Sequence, residues 1–156
     1  MSNTGTSLLY FPIKQFSPRF GNCFFTVEII SFTRKKATTR SCCVSDVIFY
    51  EVEVKRGRMA WRVFRRYSEF SSLFESLDKE DISPTTNPAV PFPRKSFYRT
   101  YLHDPVFLEL RKNQLEAVLD RILTAASTRS VAITHCTAIT SFLELNETHE
   151  TYLPLM

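Results

Sequence analysis

Residues 59–77 read Met59-Ala60-Trp61-Arg62-Val63-Phe64-Arg65-Arg66-Tyr67-Ser68-Glu69-Phe70-Ser71-Ser72-Leu73-Phe74-Glu75-Ser76-Leu77. The hydrophobic pattern changes period inside this stretch. From Met59 to about Arg65 it fits an extended strand, whereas Phe70, Leu73, Phe74 and Leu77 recur as one helical face. Arg65-Arg66-Tyr67-Ser68-Glu69-Phe70 is therefore where a strand hands over to a helix. A helix N-terminus favours anions, because its first N–H groups lack intrahelical partners and its dipole is positive there. An arginine at such a junction adds a bidentate donor fork for a phosphate. The tyrosine beside it can lay its ring against a flat polar ligand such as a sugar or an inositol.

Upstream of this junction the chain alternates. Phe25, Val27 and Ile29 share one face of a strand, with Thr26 and Glu28 on the other. Residues 33–46 are polar and basic and read as a loop. Alternation resumes with Ile48, Tyr50, Val52 and Val54 against Glu51 and Glu53. Lys55-Arg56-Gly57-Arg58 reads as a turn into the Met59 strand, with Gly57 supplying the permissive backbone. The expected sheet is a three-stranded antiparallel meander. Residues 1–20 contain Pro12 and Pro18, show no period, and read as an arm that lies on the domain or stays partly unordered.

Downstream, residues 78–105 form a long connection with five prolines. A loop of this length inside a compact domain is usually functional or disordered. An amphipathic helix follows from Val106 to about Ala125, carried by Leu108, Leu115, Val118, Leu119 and Ile122. A last helical stretch runs from about Val131 to Leu145. Segregated strands and helices define an α+β domain: a three-stranded meander packed against a helical subdomain, with the proline-rich loop between helices. The expected organisation is an arm at 1–20, one domain at 21–146 and a tail at 147–156.

Two further features stand out. In Ala89-Val90-Pro91-Phe92-Pro93-Arg94-Lys95 the prolines stiffen the approach to a cation, which holds the charge in place at low entropic cost. An ordinary proline turn would look the same. Arg111 falls between Leu108 and Leu115, inside the apolar stripe of its helix. A buried arginine needs a partner, which could be a protein carboxylate or a ligand, unless the side chain snorkels out.

Composition bounds the function. The chain has 156 residues, enough for one domain with a working core, and carries a net charge of +4. Residues 55–66 hold Lys55, Arg56, Arg58, Arg62, Arg65 and Arg66 and no acidic residue. Such a cluster suits a solvated strand edge as well as an anionic partner. With three glycines in all, a Gly-rich phosphate loop is disfavoured. Cys23, Cys42, Cys43 and Cys136 lack zinc or redox spacing, so free thiols in a reducing compartment are expected and no metal or cofactor is implied. His103, His135 and His149 accompany no nucleophile motif, so no enzyme is expected. RNA-binding signatures of the RRM or KH type are lacking, and nucleic acid is not expected as a partner. The run Leu8-Leu9-Tyr10-Phe11 is too short for a signal peptide, and no apolar run nears the ~20 residues of a membrane span. Membrane contact would have to be peripheral.

The ordered set resembles the PX (phox homology) domain family over roughly Phe24 to Leu145. It comprises three strands, a helix opened by R-R-Y-x-x-F, a proline-rich loop with a following lysine, an arginine-bearing helix and a terminal Phe142-Leu143-Glu144. One departure is Val90, which stands where the family's loop usually has its first proline. The resemblance implies a non-enzymatic phosphoinositide-binding module that targets membranes. It implies that Arg66 binds the inositol 3-phosphate and that Tyr67 stacks under the ring. It further implies that Lys95 binds the 1-phosphate and that Arg111 hydrogen-bonds the 4- and 5-hydroxyls. The expected ligand is phosphatidylinositol 3-phosphate, on the cytosolic face of endosomal-type membranes, with protein partners in trafficking. The alternative is a protein–protein scaffold on the same fold. Beyond the lysine, Phe97, Tyr98, Tyr101 and Leu102 are interleaved with Arg94, Lys95 and Arg99, a mixture that suits the bilayer interface. They are expected to enter the membrane; the competing placement is folding back into the core.

Overall fold

The computed structural model describes residues 8–38, 44–79, 92–95, 103–128, 133 and 136–146. Its sheet contains β1 (Leu9–Tyr10), β2 (Phe24–Thr38), β3 (Val44–Arg56) and β4 (Met59–Arg66), in that spatial order. Three helices follow: α1 (Tyr67–Lys79), α2 (Pro105–Thr128) and α3 (Thr137–Leu143). The architecture is α+β, with the β2–β3–β4 antiparallel meander packed on the helices.

Cross-strand pairing explains the core. Val27 stands opposite Val54 and Val54 opposite Trp61; Ile29 stands opposite Val52 and Val52 opposite Val63. Their shared face is buried, together with Phe70, Leu73 and Leu77 of α1, Leu115, Leu119 and Ile122 of α2, and Ile139 and Leu143 of α3. The other face carries the charge ladder, where Arg62 pairs with Glu51 at 2.8 Å and Glu53 at 3.4 Å. The β2 register shifts between Ile29 and Ser31. This bulge inserts one residue and so puts Phe32 opposite Tyr50, while Ser31 reaches the outer Glu51 at 2.7 Å. At the β3–β4 turn Gly57 has φ +57°, and a Cβ there would strike Asn22 Oδ1. Both conformation and space call for glycine.

Three elements differ from the sequence-based expectation. β1 adds a fourth strand, parallel to β2 and too short to display an alternation. It is held by contacts far away in sequence: the Tyr10 hydroxyl donates to Asp120, and the Tyr10 N–H donates to Ser127 Oγ at 3.0 Å. Residues 33–38 and 44–46 are strand, not loop. Their basic residues lie on a solvated ribbon that needs no apolar partner, and Lys35 sits over the rings of Phe49 (5.9 Å) and Phe64 (5.0 Å). α3 is shorter than expected, starting at Thr137. It ends where Glu144 turns left-handed at φ 53° and the Leu145 N–H reaches the Thr140 carbonyl at 2.9 Å. α2 starts as its sequence suggests, with Pro105 in its first turn and the Asp104 carboxylate accepting from the Val106 N–H at 3.0 Å.

A candidate anion-binding cleft

β4 passes into α1 without a connecting loop. The Glu69 carboxylate reaches back to accept the Arg66 N–H at 3.0 Å, the second half of a capping box. Adjacent strand residues point to opposite faces, and the two arginines separate accordingly. Arg65 turns toward α3, donating to the Phe142 carbonyl at 3.0 Å and meeting Glu144 at 3.4 Å. Arg66 is exposed and lines a cleft of about 240 Å³. Tyr67, Lys95 and Arg111 line the same cleft, together with Asp46, Ile48, Tyr50 and Ser68. The structure thus brings together all four residues singled out in the sequence, from a strand end, a helix start, a loop and a second helix.

Arg111 is 7% exposed. Its guanidinium lies 4.4 Å from the Tyr67 ring centre and 4.9 Å from that of Phe107, and Nη2 donates to the Arg94 carbonyl at 2.7 Å. No carboxylate among the described residues pairs with it. Two ring faces and a backbone oxygen support the cation without cancelling its charge. The Tyr67 hydroxyl donates to the Pro93 carbonyl at 2.5 Å, and the Phe92 ring packs against Tyr67 (5.5 Å) and Phe74 (5.0 Å). Residues 92–94 are therefore pinned at three successive positions, and the next residue is Lys95. Burial pushes the Tyr50 hydroxyl up to about 12, although Arg111 pulls it down. Burial likewise raises Tyr67 against the opposing pull of Arg111. Both rings stay neutral at physiological pH.

Sequence reasoning missed Asp46, Tyr50 and Ser68 as cleft residues. Tyr50 reads as core because it lies on the buried face of β3, and Asp46 sits where a loop was expected. Phe97, Tyr98, Tyr101 and Leu102, and also Val90, lie outside the described residues. Cys23 is a half-buried free thiol, and Cys136 is buried. No described helix is long and apolar enough to cross a membrane.

Fold and cleft define a class: an α+β domain presenting clustered cations at the meeting point of sheet, loop and helix. The family model of the PX domain matches residues 53–146. The chain belongs to the PX domain family, whose members are in general non-catalytic, phosphoinositide-binding modules that attach peripherally to membranes. Among solved structures it is similar to a designed CISK-PX domain, with 30% identity, 76% of this chain and 97% of that one covered, and a TM-score of 0.56. It is also similar in fold to the mouse SNX19 PX domain with bound sulphate ion, at 21% identity, 77% and 95% coverage and a TM-score of 0.56. No curated protein matches the chain.

Proposed function

We propose that the domain recognises the headgroup of phosphatidylinositol 3-phosphate and so docks on the cytosolic face of endosomal-type membranes, in membrane trafficking and protein transport. The observation that carries this reading is the convergence of Arg66, Tyr67, Lys95 and Arg111 on one cleft. Arg66, at the helix start, takes the 3-phosphate, where its fork and the helix N-terminus act on the same charge. Tyr67 supplies a ring surface for the inositol. Lys95 takes the 1-phosphate, and Arg111 donates to the 4- and 5-hydroxyls from a position fixed by Tyr67, Phe107 and the Arg94 carbonyl. No cofactor or catalytic group enters the reading. The lipid-binding unit spans 21–146, flanked by the 1–20 arm, whose Leu8 and Tyr10 join the core, and by the 147–156 tail. Phe97, Tyr98, Tyr101 and Leu102 follow the cleft lysine and enter the bilayer interface. Protein partners act through the rest of the surface.

The test is sedimentation with vesicles of phosphatidylcholine carrying one phosphoinositide at a time. The 3-phosphate should bind best. Equal or stronger binding to the 4,5-bisphosphate overturns the preference. Failure to bind any phosphoinositide returns the fold to the scaffold alternative.

A further inference from the structure

One wall of the cleft carries the wrong sign for an anion site. Asp46, in the first residues of β3, lines the same cleft as Arg66, Lys95 and Arg111. Its side chain is 30% exposed. Among the described residues its ion-pair neighbour is His103, with Nε2 3.7 Å from Oδ2, and His103 is exposed just before the chain enters α2. At 3.7 Å this contact is longer than a hydrogen bond, so His103 does not lock the carboxylate in place. Neither cleft arginine lies within ion-pair distance of Asp46 among the described contacts.

An ionised carboxylate accepts hydrogen bonds and donates none. Beside a ring hydroxyl it is a partner; beside a phosphate it is a repulsive neighbour. We infer that Asp46 is a specificity-determining residue: it admits a headgroup whose ring position there is a bare hydroxyl and turns away one bearing an additional phosphate. This inference rests on the headgroup reading above and deepens it. The cations of the cleft attract phosphate of any multiplicity, so their charge does not by itself turn away an additional phosphate. A discriminating cleft needs an opposing element, and repulsion is the usual way to reject a ligand that differs only by an added group. A phosphate monoester carries about −1.5 to −2 charge at neutral pH. Repulsion between that charge and a carboxylate across a partly wet cleft suffices for roughly a tenfold change in affinity.

The experiment uses the full chain, its Asp46→Asn and Asp46→Ser variants, and His103→Ala. Phosphatidylcholine vesicles carry the 3-monophosphate, or the 3,4-, 3,5- or 4,5-bisphosphate. Soluble inositol phosphates of the same substitution are titrated in parallel, which separates the cleft from the vesicle surface. Both Asp46 variants should raise the ratio of affinity for at least one bisphosphate to affinity for the monophosphate about tenfold. His103→Ala should leave that ratio unmoved. Thermal melting identifies any variant whose fold is lost, and the second Asp46 substitution then decides. If the ratio stays fixed while the wild type still binds the monophosphate, Asp46 is no selector and the headgroup reading stands. An equal gain for mono- and bisphosphates also overturns the inference, since it shows only general charge relief. If the folded wild type and variants bind no phosphoinositide, the headgroup reading fails and this inference falls with it.

Discussion

Arg65 and Arg66 are neighbours in sequence with different tasks. Arg65 ties β4 to the end of α3 through the Phe142 carbonyl and Glu144, and its guanidinium lies 5.6 Å from the Phe142 ring centre. Arg66 gives its backbone N–H to Glu69, and its side chain lines the cleft. Arg66→Ala should therefore cost headgroup binding at least tenfold and leave the melting temperature unchanged. Arg65→Ala should destabilise the fold by about 1–2 kcal/mol and leave the affinity of the folded fraction nearly intact. Titration calorimetry beside thermal melting reads both, and a larger affinity loss for Arg65→Ala would reverse the assignment. The alternation of a strand predicts that the two side chains diverge. It does not say which face opens on the cleft, because that depends on α2 and the proline loop. Arg111 was legible as an anomaly on an apolar stripe, but its supports were not: Phe107, four residues upstream, reads as ordinary helix, and the Arg94 carbonyl belongs to a backbone with no sequence signature.

At the scale of elements, the short helix α3 depends on side chains of the sheet. Its last carbonyls accept from Arg65 Nε (Phe142, 3.0 Å) and Trp61 Nε1 (Leu143, 2.9 Å), and just past its end the Leu145 carbonyl accepts from Arg56 Nη1 at 3.1 Å. Helix ends leave such oxygens without intrahelical donors, and a buried one left unpaired is costly. Trp61→Phe removes the indole N–H and should lower stability by about 1–3 kcal/mol in urea unfolding. A negligible change would mean that water replaces the indole. α2 carries another dependence. Burial raises the Glu116 carboxyl above its ordinary 4.5, opposed by the Ile29 N–H it accepts at 3.2 Å, with Glu28 adding to the rise. A carboxyl raised on folding favours the folded state while protonated, so that contribution is lost as pH climbs from about 4.5 through the raised value. Glu116→Gln keeps an acceptor for Ile29 and removes the titration. Its melting temperature should match or exceed that of the wild type at pH 7, and the difference should vanish at pH 4. The strands and amphipathic helices were legible because burial repeats along them. β1 was not, because two residues carry no period and its anchors, Asp120 and Ser127, lie more than a hundred residues away.

For the whole molecule, the sheet sets two ends apart. Phe25 faces Arg56 at the turn end, while Phe49 faces Arg66 at the cleft end. About eight strand residues, or roughly 25 Å, separate them. A ligand held in the cleft therefore lies far from the Phe11–Phe20–Phe24 cluster near the turn. Replacing Tyr98 and Leu102 by serine should weaken vesicle binding about tenfold and spare binding of a soluble headgroup. A parallel fall in both would place these side chains in the cleft wall. The support of Arg111 by rings and a carbonyl has a kinetic consequence. No carboxylate among the described residues pairs with Arg111, so with Arg66 and Lys95 it outweighs the single Asp46 carboxylate and gives the cleft a positive field. Such a field acts on encounter, over a screening length of about 10 Å at 0.1 M salt. Added electrolyte should slow arrival at anionic vesicles and leave the residence time of the bound domain almost unchanged, so that the catchment of the domain is set by ionic strength and its hold by contact.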